Sequence, residues 1–130
     1  MKKLLIFFAA GCVGALANSI GLWLLGDFGV TQTLGIAIAP KLTPTWLYPR
    51  IVWGGIWGFT FILPFLESRL LLKGSILSLL PTLVQLFVVF PFKAHKGPAG
   101  LELGLLTPLL VLFLNWIWGA VTAMTIRTAR

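Results

Sequence analysis

Acidic residues, histidine and cysteine are nearly absent from this chain: three Asp or Glu, one His and one Cys among 130 residues. The single cysteine, Cys12, excludes an internal disulfide, and no Cys/His set has the spacing of a metal site. No cofactor or metal is expected. Asp27, Glu67, Glu102 and His95 are the whole supply of ordinary acid–base groups. They form no triad, carboxylate pair or phosphate-cradling loop, so the chain does not read as an enzyme. His95, between Lys93 and Lys96, reads as a solvated loop residue. Charge of either sign is scarce as well, at 10% of residues against roughly 25% in ordinary globular proteins. The formal net charge is +7, yet the basic residues stand singly or in pairs between apolar runs. No basic patch forms for nucleic acid; such residues instead orient helices and meet anionic lipid head groups.

Apolar sequence is abundant: 58% hydrophobic residues, with six Trp and ten Phe. A soluble domain this small could not bury that surface. The stretch Gly74–Lys96 shows the pattern most clearly, an apolar run of about membrane-spanning length interrupted by Pro81 and Gln85 and closed by Phe-Pro-Phe and Lys93. A helix apolar on every face is hidden by a bilayer, not by a small core. The chain therefore reads as an all-α membrane protein, one integral-membrane domain with four transmembrane helices at roughly 3–25, 46–66, 74–92 and 107–126. These form two hairpins, with a short interfacial or re-entrant segment after the first helix.

The first span starts at Lys2 and Lys3. Its opening also imitates a secretory signal, with Ala15–Ala17 or Ala10–Cys12 as a cleavage site, the latter making Cys12 a lipid-modified terminus. The apolar run continues past either site to full spanning length, which favours an uncleaved helix. Gly11, Gly14, Ala15, Asn18 and Gly21 recur at three- and four-residue steps, a smooth stripe for close helix packing. Gly26–Thr45 is too polar and too rich in Gly and Pro to span, with Leu34–Ala39 as its short apolar piece. Thr43-Pro44 supplies a capping hydroxyl and a first-turn proline for the second span. There Gly54 and Gly58 form a GxxxG pair beside Trp53 and Trp57. Arg50 falls about 10 Å above the midpoint of this span, by helical rise. Glu67–Lys73 reads as a short turn. Pro81 leaves the carbonyl of Leu77 without its helical partner, for Ser78 or Thr82 to satisfy. Thr107-Pro108 opens the fourth span, which ends in Arg127 and Arg130.

Leu42-Thr43-Pro44 before Ile56-Trp57-Gly58 is echoed by Leu106-Thr107-Pro108 before Ile117-Trp118-Gly119. Duplication and convergent packing both account for the echo; duplication would relate two hairpins by an axis along the membrane normal. Lys2, Lys3, Arg69, Lys73, Arg127 and Arg130 fall on one side, and Lys41, Arg50, Lys93 and Lys96 on the other. That bias puts both termini in the cytoplasm.

Asn18, Gln85 and Asn115, from three helices, all fall within about 5 Å of one depth, with Arg50 of the fourth above them. Amides avoid hydrocarbon and should converge inside the bundle. Two outcomes are open: a structural hydrogen-bond network, or a cavity facing the outer side in which Arg50 receives an anionic group and the amides bind its polar atoms.

The motifs SLLPTLVQLFVVFPFKAHKG (78–97), GLLTPLLVLFLNWIWG (104–119) and YPRIVWGGIWG (48–58) resemble those of a group of small four-helix bacterial inner-membrane proteins. The resemblance implies a multi-pass inner-membrane location and a helical bundle, and no chemistry. The fluoride-channel family, equally short, also has a GxxGA-like start, here Gly11–Ala15. The arginine that usually follows it is missing, with Asn18 and Ser19 in its place, and so is that family's third-helix Phe and Thr motif.

The expected function is binding or transport of a small anionic solute or lipid head group, with Arg50, Asn18, Gln85 and Asn115 as ligand-binding residues and Gly11, Gly14, Gly54 and Gly58 packing helices. The alternative is a structural or accessory subunit that meets a partner membrane protein or further copies of itself. An enzyme acting on lipid would have to use His95, Glu102 and Asp27.

Overall fold

The computed structural model of the chain describes residues 2–36, 42–66, 68–93 and 106–129. Every regular element among them is helical. Helix α1 is Lys2–Asp27, α2 Val30–Thr33, α3 Pro44–Gly58, α4 Leu70–Leu77, α5 Leu79–Val84 and α6 Thr107–Ala129. A 3₁₀ turn, Phe59–Ile62, extends α3, and a π-helical stretch, Gln85–Lys93, extends α5. Among the described residues three helices are long and apolar enough to cross a membrane: Lys2–Asp27, Leu70–Val89 and Thr107–Ala129.

The local causes are visible in the sequence. Within the loop Gly26–Thr45, where a short helix was expected, α2 forms at Val30–Thr33, bracketed by two glycines with positive φ: Gly29 at 79° before and Gly35 at 74° after. Only residues that tolerate the left-handed region can start and stop a helix in this way. Residues 37–39 lie outside the described residues. Thr43 caps α3, its hydroxyl accepting from Trp46 N at 3.3 Å. Its counterpart Thr107 does not repeat the role; it lies inside α6, and its buried hydroxyl has no partner among the described residues. The α3 rod tightens to 3₁₀ where the Thr60 hydroxyl donates to Trp57 O at 2.6 Å, and it ends at Ile62, short of the expected 66. The third rod, made of α4, α5 and the π-helical stretch (70–93), breaks at Ser78, three residues before Pro81. The hydroxyls beside the break go to other carbonyls than that of Leu77: Ser78 donates to Ser75 O and Thr82 to Ser78 O, both at 2.7 Å.

Helix α1 lies at the centre, packed on α3 along one face and on α6 along another, and α4 closes on α6. Glycines make these approaches possible. A Cβ on Gly11 would strike the carbonyl of Gly54, and one on Gly58 the carbonyl of Phe7. Gly14 sits against Thr122 and the Trp118 carbonyl. A second crossing was not singled out in the sequence: Gly74 and Gly119 each face the other's carbonyl. Two apolar clusters flank the middle of the bundle. One contains Phe7, Phe61, Leu77 and Trp118; the other, toward the Asp27 end, contains Leu22, Ile36, Leu110 and Leu114. Outward faces are apolar too, with Leu5, Leu83 and Leu109 more than half exposed.

Lys73 does not belong to a turn. It lies within α4 and is fully buried. Its Nζ donates to Phe61 O at 2.8 Å and Leu63 O at 2.6 Å, and it lies 5.4 Å from the centroid of the Phe65 ring. The ammonium thus ties the end of the 3₁₀ turn to α4. Lys73→Met keeps the stem and removes both bonds. Charge-assisted hydrogen bonds are lost, but so is the cost of desolvating a cation. The expected result is a net loss of about 1–2 kcal/mol, read as a lower midpoint of unfolding in mixed detergent; an unchanged midpoint would remove the tie.

Candidate functional site

The four side chains singled out above meet. Arg50, on the second turn of α3, donates through Nη2 to Asn18 Oδ1 at 2.7 Å and through Nε to Ser19 Oγ at 2.9 Å. The Trp46 ring covers its guanidinium, 4.9 Å from carbon to centroid. Asn18 Nδ2 in turn donates to Leu114 O at 2.9 Å and to Asn115 Oδ1 at 3.2 Å. Asn115 Nδ2 donates to Thr82 Oγ1 at 3.0 Å and, more weakly, to Gln85 Oε1 at 3.4 Å. The Thr82 hydroxyl in turn donates to Ser78 O at 2.7 Å. Every link donates in the same direction, from a cation on α3 through α1 and α6 to the broken third rod. Chains aligned in this way polarise and strengthen one another in a low-dielectric interior.

Arg50 lies nearer the middle of its rod than expected. With α3 and its 3₁₀ extension spanning 44–62, it is three residues from the centre, about 4–5 Å by helical rise. Its charge has little opposition. Of the three acidic residues, only Asp27 is among the described ones, and it is exposed at the far end of α1. No carboxylate pairs with the guanidinium among the described residues, and Asn18 and Ser19 leave part of its five-donor fork unused.

A cavity of about 170 Å³ lies against this network. Arg50, Trp53, Gly54 and Trp57 form one wall, at i, i+3, i+4 and i+7 of α3, and Pro81, Gln85 and Val89 form the other. Ala15, Asn18, Asn115 and Trp118 make the floor. The void lies inward of the amides and not toward the Asp27 end, where the cluster of Leu22, Ile36 and Leu110 fills the bundle. On that other side a second void of about 20 Å³ touches Asn18, Arg50 and Gln85, room for about one water molecule.

The glycine crossing explains the shape. Gly74 and Gly119 hold α4 hard against α6. Beyond the break at Ser78, α5 and the π-helical stretch pack on α6 less closely, and α3 and α5 barely touch. Trp118 floors the gap and is pinned by its Nε1, which donates to Gly11 O at 3.1 Å. The indole N–H of Trp57 is buried with no acceptor among the described residues.

Ser19, Thr82 and Trp57 are not among the binding residues expected from the sequence, yet all three border the network or the cavity. Thr82 is three residues before Gln85, one helical turn on the same face, so the position of Gln85 already implied it. Nothing in the sequence marks Trp57 as the indole left without a partner. His95 and Glu102 lie outside the described residues, as does Glu67. No cluster of metal-ligating side chains occurs among the described residues. The chain matches no family model, and no curated protein or solved structure shows significant similarity to it.

Proposed function

We propose that the chain is an integral membrane protein of four spans whose bundle binds a small anionic group, of a solute or of a lipid head group, at Arg50. Three spans are α1, the third rod and α6. The fourth would be α3 with its 3₁₀ extension: 15 residues at 1.5 Å and four at 2.0 Å amount to about 30 Å, the thickness of the hydrocarbon layer. Lys73 and Arg50 are both spent inside the bundle, one from each side of the charge count, so the bias toward cytoplasmic termini is unaltered. The observation that carries the binding reading is an arginine at the wall of a cavity with no carboxylate beside it among the described residues. A buried cation costs several kcal/mol to desolvate, and neutral amides recover only part of that. An anion in the cavity would complete the site, with the spare guanidinium donors and the Gln85 amide facing it. A transport role would use the same contacts.

Trp46, Trp53, Trp57 and Trp118 lie at this site, so intrinsic fluorescence of the detergent-solubilised protein reports its occupancy. Titration with inorganic phosphate and with phosphatidylglycerol is expected to give a saturable change for at least one of them. Arg50→Gln weakens it at least 10-fold, about 1.4 kcal/mol, and Arg50→Lys, which loses the planar fork, falls between. An Arg50→Gln protein that titrates like the parent would sink the reading.

A purely structural network is the second reading, favoured by the amides already bonding one another. Against the accessory-subunit version stands the fate of the glycines: Gly11, Gly14, Gly54, Gly58, Gly74 and Gly119 are all spent on contacts within the chain. None of these six is left as a smooth stripe for a partner.

A further inference from the structure

The cavity beside Arg50 has two unlike ends. At the level of the arginine its lining is polar, from Asn18, Ser19, Gln85 and Asn115. About 5 Å nearer the Lys2 end, one helical turn, the lining on every helix is apolar: Ala15 on α1, Trp53 and Gly54 on α3, Pro81 on the third rod and Trp118 on α6. Trp57 carries the apolar wall of α3 one turn further, and Val89 is the one apolar lining residue on the other side of the polar level. The Trp53 and Trp57 rings stand edge to face, with centroids 5.8 Å apart and planes at 84°. Four helices change from polar to apolar at the same level, so the change belongs to the cavity and not to one wall.

A ligand that satisfies both ends is amphipathic. Charge sets its polar end. Neither Arg50 Nη1 nor Gln85 Nε2 makes a hydrogen bond among the described residues, so donors remain at this level. Arg50 is the one charged group lining the cavity. A single cation balances a single negative charge; a second would be held in a low dielectric with only amides beside it. A carboxylate carries one charge, and its two oxygens match the planar guanidinium fork. Size sets the apolar end. The cavity holds about 170 Å³, and an apolar void of roughly 150 Å³ takes one benzene molecule. An inorganic anion would leave the indole-lined part without contacts. A ring-sized body fills it, face or edge against the Trp53 and Trp57 rings.

We propose that the cavity takes a small amphipathic monocarboxylate, the carboxylate on Arg50 and the Gln85 amide and an apolar body the size of one six-membered ring among Trp53, Trp57 and Trp118. This rests on the anion-binding reading above and adds the ligand class and its orientation. The indoles recognise the body through their ring surfaces and not through their N–H groups.

The test uses the full chain in detergent, with binding read by isothermal titration calorimetry. The probes are benzoate, acetate, benzyl alcohol, inorganic phosphate and octanoate. Benzoate is expected to bind at least 10-fold more tightly than acetate, which lacks the ring, and than benzyl alcohol, which lacks the charge. Phosphate and octanoate are expected to bind at least 5-fold more weakly than benzoate, the first for want of an apolar body and the second for excess length. Trp53→Ala removes a half-exposed ring outside the polar network and is expected to weaken benzoate at least 5-fold more than acetate. Arg50→Gln erases the preference for benzoate over benzyl alcohol, and Arg50→Lys, which keeps the charge, retains part of it. Acetate or phosphate binding as tightly as benzoate would overturn the amphipathic ligand and leave the anion site standing. Octanoate binding more tightly than benzoate would overturn the size limit and point to an acyl chain. A Trp53→Ala protein that loses benzoate and acetate equally, or neither, would overturn the placing of the apolar body. Equal binding of benzoate and benzyl alcohol, with no binding of acetate or phosphate, would overturn both this inference and the reading it rests on.

Discussion

Gly119→Val leaves the chain unable to hold its third rod: α4 separates from α6, and stability falls by more than about 3 kcal/mol, the upper range for overpacking. The size follows from what the new Cβ meets. It would strike the carbonyl oxygen of Gly74, with the Gly74 carbonyl carbon at 2.9 Å and Ser78 Cβ at 3.1 Å. Backbone cannot turn aside as the end of a long side chain can, so the helices must part. Parting them also breaks the bond from Trp116 Nε1 to Ser75 Oγ, 2.9 Å in the native protein. Between helices in lipid there is no hydrophobic drive to compensate, since the tails are as apolar as leucine, and close contact supplies most of the attraction. Gly21→Ala is the matched control. Its Cβ would meet only Leu114 Cδ2, at 3.6 Å, so it should be neutral or gain up to about 1 kcal/mol from helix propensity. Reversible unfolding in mixed detergent measures both. A valine variant with the parent's midpoint would show that the α4–α6 crossing is not as close as described.

Asn18→Leu is the second large effect, expected to cost about 3 kcal/mol. Asn18 is the one side chain that both accepts from Arg50 and donates onward, to Leu114 O and Asn115 Oδ1. A leucine of similar volume fills the space but abandons three groups at once. Two are neutral, and intramembrane hydrogen bonds of that kind average about 0.6 kcal/mol. The third is a cation, whose bonds are worth about 1.5–3 kcal/mol, and it decides the total. The double variant Asn18→Leu, Arg50→Leu tests this. Removing the cation as well should restore at least 1 kcal/mol, because a buried charge without acceptors is worse than no charge. A double variant as unstable as the sum of the two single ones would show that Asn18 does not compensate Arg50.

The meeting of Asn18, Gln85 and Asn115 could be read from the sequence because helical rise places each at nearly the same depth, and an amide has few alternatives in an apolar chain. Arg50 was legible as a polar group of the same region, though not its depth. Its helix stops at Ile62, where Thr60 and Pro64 end it, and the centre of the rod moves toward the arginine. Lys73 was misread as a turn residue because counting charges cannot tell a lysine in a head-group layer from one whose ammonium is held by two backbone carbonyls. Gly74 and Gly119 escaped notice for a related reason. Neither has a GxxxG partner, and the weaker small-residue pairs Gly74–Ser78 and Gly119–Ala123 do not say which helix meets which; the crossing shows that they oppose each other.

By itself the sequence determined the helical character of the chain, the approximate place of its three longest rods and the residues that must avoid hydrocarbon, because these depend on composition, local propensity and rise along one helix. The tertiary structure decided which helix meets which, and therefore everything about the cavity. It follows from one close crossing at Gly74 and Gly119 and a break at Ser78, after which the third rod packs less closely on α6. Contacts between segments far apart in the chain leave no periodic trace in either segment alone. The network that runs from Arg50 through Asn18 and Asn115 to Thr82 acquires meaning only once those distant helices stand side by side.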